Sequence, residues 1–276
     1  MSIKEVADFL VKLALAEDIG RGDLTTRATV AKEQKAKAFM TAKEDGVIAG
    51  LDVAADVFRH VDPRIRFRTK VADGARVKKG KVIAELSGPA RGIVTGERVA
   101  LNFLQHLSGI ATLTNRFVSR AGRRVRVLDT RKTVPGLRAL EKYAVRCGGG
   151  TNHRLGLFDA VLIKDNHIKL AGGIFPAVKA AREELAGKKI EVEAKSLREA
   201  EAAIGAGADR ILLDNMSLKM MKEAVKLCKK AGVKTEASGG VNLSNVAAIA
   251  KTGVDFISVG ALTHSAKALD INLKIV

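Results

Sequence analysis

Six short apolar runs, centred near Val127, Leu162, Val192, Leu212, Thr235 and Ile257, recur along the second half of the chain. After a wider first gap they lie roughly twenty to thirty residues apart, which is the repeat of a β/α unit in a parallel barrel. Helical patterns fill the gaps, at 174–185, 197–206, 218–231 and 246–251. This periodicity leaves few folds open. It predicts an incomplete parallel α/β barrel, TIM-like, with six strands, or seven if one strand is too irregular to read.

In such a barrel the C-terminal ends of the strands carry the chemistry. The six apolar runs end, in order, on Asp129-Thr130-Arg131-Lys132, Lys164-Asp165-Asn166, Glu193, Asp214-Asn215, Glu236-Ala237-Ser238-Gly239-Gly240 and Gly260-Ala261. One such group alone is an ordinary surface charge; six in register point to a site. Arg131, Lys132, His153, Arg154 and Lys164 concentrate fixed positive charge among glycines and strand ends, as a small polyanion requires. His153 has two open roles, donating to a substrate carboxylate or orienting Arg154. The loops Ser238-Gly239-Gly240 and Val259-Gly260-Ala261 come after the last two strands, where barrels bind phosphate through exposed backbone N–H groups. Glu193 and Asp214 end adjacent strands. They suit a divalent cation completed by water and substrate phosphate, or else they balance the surrounding Arg and Lys.

The first part of the chain reads differently. Ile3, Val6, Phe9, Leu10 and Leu13 predict a helix over 3–17 with one buried face. Gly22-Asp23-Leu24-Thr25-Thr26 reads as a capped turn. Between Ala36 and Glu85 the pattern is of short alternating strands, at 37–43, 47–49, 65–71 and 81–86, with turn signals at Asp73-Gly74 and Lys79-Gly80. Asp73-Gly74-x-x-Val77-x-x-Gly80 resembles lipoyl and biotinyl carrier domains, but no lysine stands at a hairpin tip, so the segment reads as structural. From Val94 to Thr112 a wide apolar stripe predicts a buried helix with Arg98 in its first turn, where the helix dipole disfavours a cation.

Composition narrows the function. The 276 residues are 47% hydrophobic but only 4% aromatic, without Trp, so the core is aliphatic. The net charge of +18 predicts acidic partners. Nucleic acid fits poorly, because stacking aromatics are scarce and the basic residues are spread along the chain. Cys147 and Cys228 lack metal-ligand spacing, and reduced thiols fit a cytoplasmic location. His106, His167 and His264 offer no ligand spacing either. The start of the chain carries no signal-peptide pattern, and no apolar run approaches the roughly 20 residues of a membrane span.

Assembled, the blocks Gly96-Glu97-Arg98, Asp129-Thr130-Arg131-Lys132-Thr133, Gly148-Gly149-Gly150-Thr151-Asn152-His153-Arg154, Ile163-Lys164-Asp165-Asn166-His167, Glu191-Val192-Glu193, Leu213-Asp214-Asn215 and Glu236-Ala237-Ser238-Gly239-Gly240 closely resemble the quinolinate phosphoribosyltransferase family. The likeness runs from Glu17-Asp18 to His264, with Val99 and Val134 standing where such sequences often carry Thr. The resemblance implies an N-terminal α/β sandwich domain over residues 1–108, joined by the tail 267–276, and a catalytic barrel over 109–266. It implies transfer from 5-phosphoribosyl-1-pyrophosphate to quinolinate with decarboxylation, giving nicotinate mononucleotide, pyrophosphate and CO2 for NAD biosynthesis. Implied substrate-binding residues are Arg98, Arg131, Lys132, Thr133, His153, Arg154, Lys164, Glu193, Asp214, Ser238, Gly239, Gly240, Val259, Gly260 and Ala261. The implied catalytic residues are Lys132, Glu193 and Asp214, the last two through Mg2+. The resemblance also implies a homodimer in which Arg98 reaches the partner's barrel, or a hexamer built as a trimer of dimers, with no nucleic-acid or membrane partner.

Two other readings compete. One is a phosphoribosyltransferase on the same scaffold with another acceptor, like the paralogues encoded with molybdate transporters. The other is a non-enzymatic nucleic-acid binder using the positive charge, which predicts duplex binding that falls steeply with salt.

Overall fold

The computed structural model describes residues 2–276 and divides into two compact units. The first comprises residues through 115, 134–149 and 265–276; the second comprises 116–133 and 150–264. In chain order the elements are α1 (Ile3–Ile19), α2 (Leu24–Thr29), β1 (Lys35–Ala42), β2 (Gly46–Val47), α3 (Leu51–Val61), β3 (Arg66–Thr69), β4 (Arg76–Val77), β5 (Val82–Pro89) and α4 (Ala90–Ala121). There follow β6 (Arg126–Leu128), α5 (Arg138–Cys147), β7 (Val161–Ile163), α6 (Asp165–Leu170), α7 (Ile174–Glu184), β8 (Ile190–Ala194), α8 (Leu197–Gly205) and β9 (Arg210–Asp214). The chain closes with α9 (Leu218–Lys230), β10 (Lys234–Ser238), α10 (Val246–Ala250), β11 (Phe256–Ser258), α11 (Ala261–His264) and β12 (Ile271–Ile275).

The first unit is an antiparallel sheet in the order β12-β1-β5-β3 with helices, plus the small pair β2-β4. The tail enters it as β12, with Met40 opposite Leu273. Its core is apolar, built from Met40, Phe58, Ile83, Leu86, Leu104 and Leu107. The short β2 segment pairs with β4, and the chain there is also tied to α4. Val47 N–H donates to the Thr112 hydroxyl (2.8 Å) and Ala49 N–H to that of Ser108 (3.0 Å).

Three expectations change here. The helix α3 interrupts the stretch read as strands. Its cap is invisible locally: Asp73 accepts the N–H groups of Gly50 (2.8 Å) and Leu51 (3.1 Å), and the Tyr143 hydroxyl (2.7 Å), all distant in sequence. A cap of this kind is worth about 1 kcal/mol. Second, α1 buries Ala7, Val11 and Leu15, while Ile3, Phe9 and Leu13 of the expected stripe are exposed. Third, α4 begins at Ala90, directly after β5, so Arg98 lies in its third turn and not its first. The dipole acts mainly within the first turn and therefore imposes no penalty on this cation. The segment 134–149 groups with the first unit. Within that unit α5 meets α1, and His106 stands 2.9 Å from the fully buried Glu141.

In the second unit six parallel strands run in the order β6-β11-β10-β9-β8-β7. A single parallel bridge, Thr151 to Leu128, adds a one-residue seventh strand beside β6. The six-strand periodicity is therefore right, and the unread strand is too short to carry a pattern. Alternation along each strand sends one set of side chains outward and the other into the barrel. Ile190, Val192, Ala194, Ile211, Leu213 and Ala237 form a fully buried apolar set. The opposite set is Glu191 and Glu193 on β8, Arg210, Leu212 and Asp214 on β9, and Glu236 and Ser238 on β10. Barrels usually fill this interior with branched apolar residues. Here it is charged.

Candidate active site

Parallel strands deliver their C-terminal ends to one rim, and in the second unit that rim surrounds a cavity of about 720 Å3. The loop after β6 contributes Arg131 and Lys132, the segment after Thr151 contributes His153 and Arg154, and Lys164 follows β7. The facing wall holds Glu193, Asp214 and Ser238, with Gly239, Gly240, Gly260 and Ala261 in the last two loops. Three expected residues do not line it. Thr133 donates its N–H to the Arg131 carbonyl (3.0 Å). Val259 is buried, with its N–H bonded to the Leu128 carbonyl (2.9 Å). Arg98 belongs to the first unit and is exposed.

The two glycine loops differ from ordinary turns in what surrounds them. Gly239 has φ +93°, and a Cβ there would fall 2.2 Å from Asn215 Oδ1, so only glycine fits. At Gly260 a Cβ would press on His264 Nε2 and Lys132 Cδ, each at 3.1 Å. His264, which offered no ligand spacing in sequence, thus comes to the cavity wall.

Charge is paired across the rim. Lys195, just past β8, stands 2.8 Å from Asp165 and 3.8 Å from Glu193. Its hydrogen bond holds Asp165 below the usual carboxylate range. Burial, then the charges of Asp214 and Asp165, push Glu193 up, so this corner disfavours further negative charge without a cation. On the opposite side burial, then the Arg131 charge, lowers Arg154, a repulsion that a bound anion would relieve. Sequence reading missed Lys195, because a lysine beyond a strand end looks like surface.

Beneath the rim lies a group that the sequence only hinted at. His153 Nε2 stands 3.2 Å from Glu191 Oε2 and 3.5 Å from Glu236 Oε1. Arg210 Nη1 stands 3.1 Å from Glu236 Oε2 and 3.8 Å from Glu191 Oε2, and its guanidinium lies over the Phe256 ring at 4.2 Å. Burial, then the Glu191 charge, pushes Glu236 up to about 7. For His153 burial opposes the charged ring, but Glu191 and Glu236 more than offset it, so its pKa is raised. Yet the Arg154 N–H donates to His153 Nδ1 at 2.7 Å. A second ring proton would collide with that donor, so this geometry is that of the neutral ring with its proton on Nε2. The available signal was charge inside apolar runs: Glu191 between Ile190 and Val192, and Arg210 directly before Ile211.

Comparison with known proteins adds a second line. The family model described as quinolinate phosphoribosyl transferase, N-terminal domain, matches residues 23–108, and that for the C-terminal domain matches 110–274. A chloroplastic nicotinate-nucleotide pyrophosphorylase (carboxylating) from Arabidopsis thaliana is 48% identical, covering 96% of this chain and 82% of its own. A probable nicotinate-nucleotide pyrophosphorylase (carboxylating) from Bacillus subtilis is 47% identical, covering 94% and 90%. Among solved structures, NadC from Streptococcus pyogenes superposes with a TM-score of 0.95 at 43% identity, over 100% of this chain and 98% of the other.

Proposed function

The chain belongs to the quinolinate phosphoribosyltransferase family, and from that premise we propose that the barrel-rim cavity is where its reaction takes place. The reaction joins quinolinate to 5-phosphoribosyl-1-pyrophosphate and yields nicotinate mononucleotide, pyrophosphate and CO2. The carrying observation is the order of groups around the rim: cations Arg131, Lys132, Arg154 and Lys164 follow β6, Thr151 and β7, and carboxylates and glycine loops follow β8 to β11.

Each side suits one substrate. Quinolinate is a pyridine dicarboxylate, and Arg forks grip carboxylates bidentately. Arg131 and Arg154 take that role, with Lys164 as a further cation and Lys132 facing either substrate. The 5-phosphate rests on the backbone around Gly239, Gly240 and Gly260, where the lack of a Cβ permits close approach. Attack of the ring nitrogen on the ribose carbon breaks the bond to pyrophosphate and calls for alignment and charge stabilisation. The ring nitrogen, once ribosylated, draws electrons, so the adjacent carboxylate leaves as CO2 and the ring carbon takes up a proton.

Magnesium belongs to this reading. Glu193 and Asp214 offer hard carboxylate oxygens, and their mutual repulsion gives a cation something to relieve, so the donor set fits. They would hold the ion, which neutralises charge on the leaving pyrophosphate when bound.

A homodimer with Arg98 entering the partner's cavity also belongs here. Arg98 is exposed and outside its own cavity lining, and large apolar side chains stand exposed in each unit, among them Phe9 and Leu24 in the first and Phe158 and Leu170 in the second. A partner surface that gathered these side chains into one patch would bury them. A cytoplasmic location is favoured by the unpaired Cys147 and Cys228. Among the described residues no helix is long and apolar enough to cross a membrane.

A panel of pyridine acceptors tests the reading. Quinolinate alone should give nicotinate mononucleotide efficiently; a preference for a monocarboxylate acceptor would reassign the cationic side.

A further inference from the structure

Arg154 must be held in place, yet it lies on a stretch that is neither helix nor strand. A substrate clamp misplaced by 1 Å loses much of its value. The surrounding segment is fixed from two sides by buried carboxylates. Asp129, with no solvent exposure, accepts the His153 N–H (2.9 Å) and the Asn152 side-chain amide. Glu191 and Glu236, 6% and 0% exposed, face the His153 ring, whose other nitrogen accepts the Arg154 N–H at 2.7 Å. The Arg154 guanidinium itself donates to the Ala160 carbonyl (3.2 Å).

We propose that Glu236, together with Glu191 and Arg210, is a positioning residue for quinolinate capture: it holds the His153 ring, and the ring holds the backbone from which Arg154 reaches the substrate. The inference rests on Arg154 being a quinolinate clamp. Burying two carboxylates is costly unless both are paired, and a barrel interior of branched apolar residues would fold as well or better. What the charged version adds is direction. Arg210 lies over the Phe256 ring and pairs with Glu236, so a chain of charged contacts runs from the start of β9 through Glu236 and His153 to the Arg154 amide. A metal ion is the other use for one His and two Glu whose ligand atoms lie within 4.8 Å of each other. The Arg210 guanidinium at 3.1 Å from Glu236 already supplies the cation and would repel a second.

The test combines Glu236→Leu, Glu236→Gln and Arg154→Ala, alone and paired, with quinolinate and phosphoribosyl pyrophosphate affinities measured separately. Glu236→Leu should weaken quinolinate binding on the order of tenfold while leaving phosphoribosyl pyrophosphate within about twofold, a coupling typical of contacting residues. In the Arg154→Ala background the same change should cost almost nothing. Glu236→Gln, which keeps the shape, should recover part of the loss and serves if the Leu variant does not fold. Equal losses in both backgrounds, or equal losses for both substrates, would overturn the proposal. So would stabilisation by added Zn2+ or Mn2+ that Glu236→Gln abolishes. If Arg154→Ala itself leaves quinolinate affinity unchanged, the clamp reading fails instead, and this inference falls with it.

Discussion

The barrel strands carry charge at two depths, and the two depths do different work. At the strand ends Glu193, Asp214 and Lys164 open onto the cavity, where a ligand can reach them. Earlier in the same strands Glu191 and Glu236 are buried and face His153 and the half-buried Arg210, with Glu236 still bordering the cavity floor. Glu191 and Glu193 are two residues apart on one strand and share a face, so chemistry alone does not separate them. Depth does: the outer carboxylate can meet a ligand, the inner one can only hold its neighbours. Residue type at a strand end therefore marks a contact, whereas the same type inside an apolar run marks support.

Breaking the outer layer should have the larger effect. Arg154→Ala and Arg131→Ala should each weaken quinolinate binding by about 2 to 5 kcal/mol, the usual loss when one partner of a desolvated charge pair is removed. Circular dichroism should show the fold retained, and calorimetric titration gives the affinity. Glu193→Gln and Asp214→Asn come next: the magnesium needed for half-maximal rate should rise by more than about tenfold, the lower end for groups that merely support a ligand. Quinolinate affinity should be spared, and activity surviving exhaustive chelation would remove the metal from the account.

A third prediction extends the outer layer across subunits. Inactive Arg98→Ala and Lys164→Ala chains, mixed under subunit exchange, should recover up to about one quarter of wild-type activity at random pairing, as two-fold symmetry requires. No recovery in proven heterodimers would confine each site to one chain.

The smallest effect belongs to the inner layer and to pH. Glu236 has a folded pKa near 7, above the unfolded 4.5, so the native state binds more protons than the unfolded one between those values. Stability from this group is therefore full below about pH 4.5 and lost as pH rises through about 7. Thermal melts should show Glu236→Gln flattening this decline. A decline of unchanged slope would separate Glu236 from the titration.

The sequence made the barrel and its rim legible, because six apolar runs and the residues after them are local patterns. It did not disclose α3, whose cap is Asp73, or the true start of α4, where β5 runs into helix without a loop. Nor did it reveal the inner layer as a unit. Arg210, Glu236 and His153 come from three separate segments, and only strand register brings them together. Thr133 and Val259 sit in motifs beside cavity residues, but strand alternation and local hydrogen bonding turn them away from it.

The most direct measurement tracks the carbon that is lost. With quinolinate labelled at the carboxylate next to the ring nitrogen, phosphoribosyl pyrophosphate and magnesium, the purified protein should release labelled CO2 and nicotinate mononucleotide in equal amounts. Consumption of phosphoribosyl pyrophosphate without labelled CO2, or no nicotinate mononucleotide at all, would contradict the account.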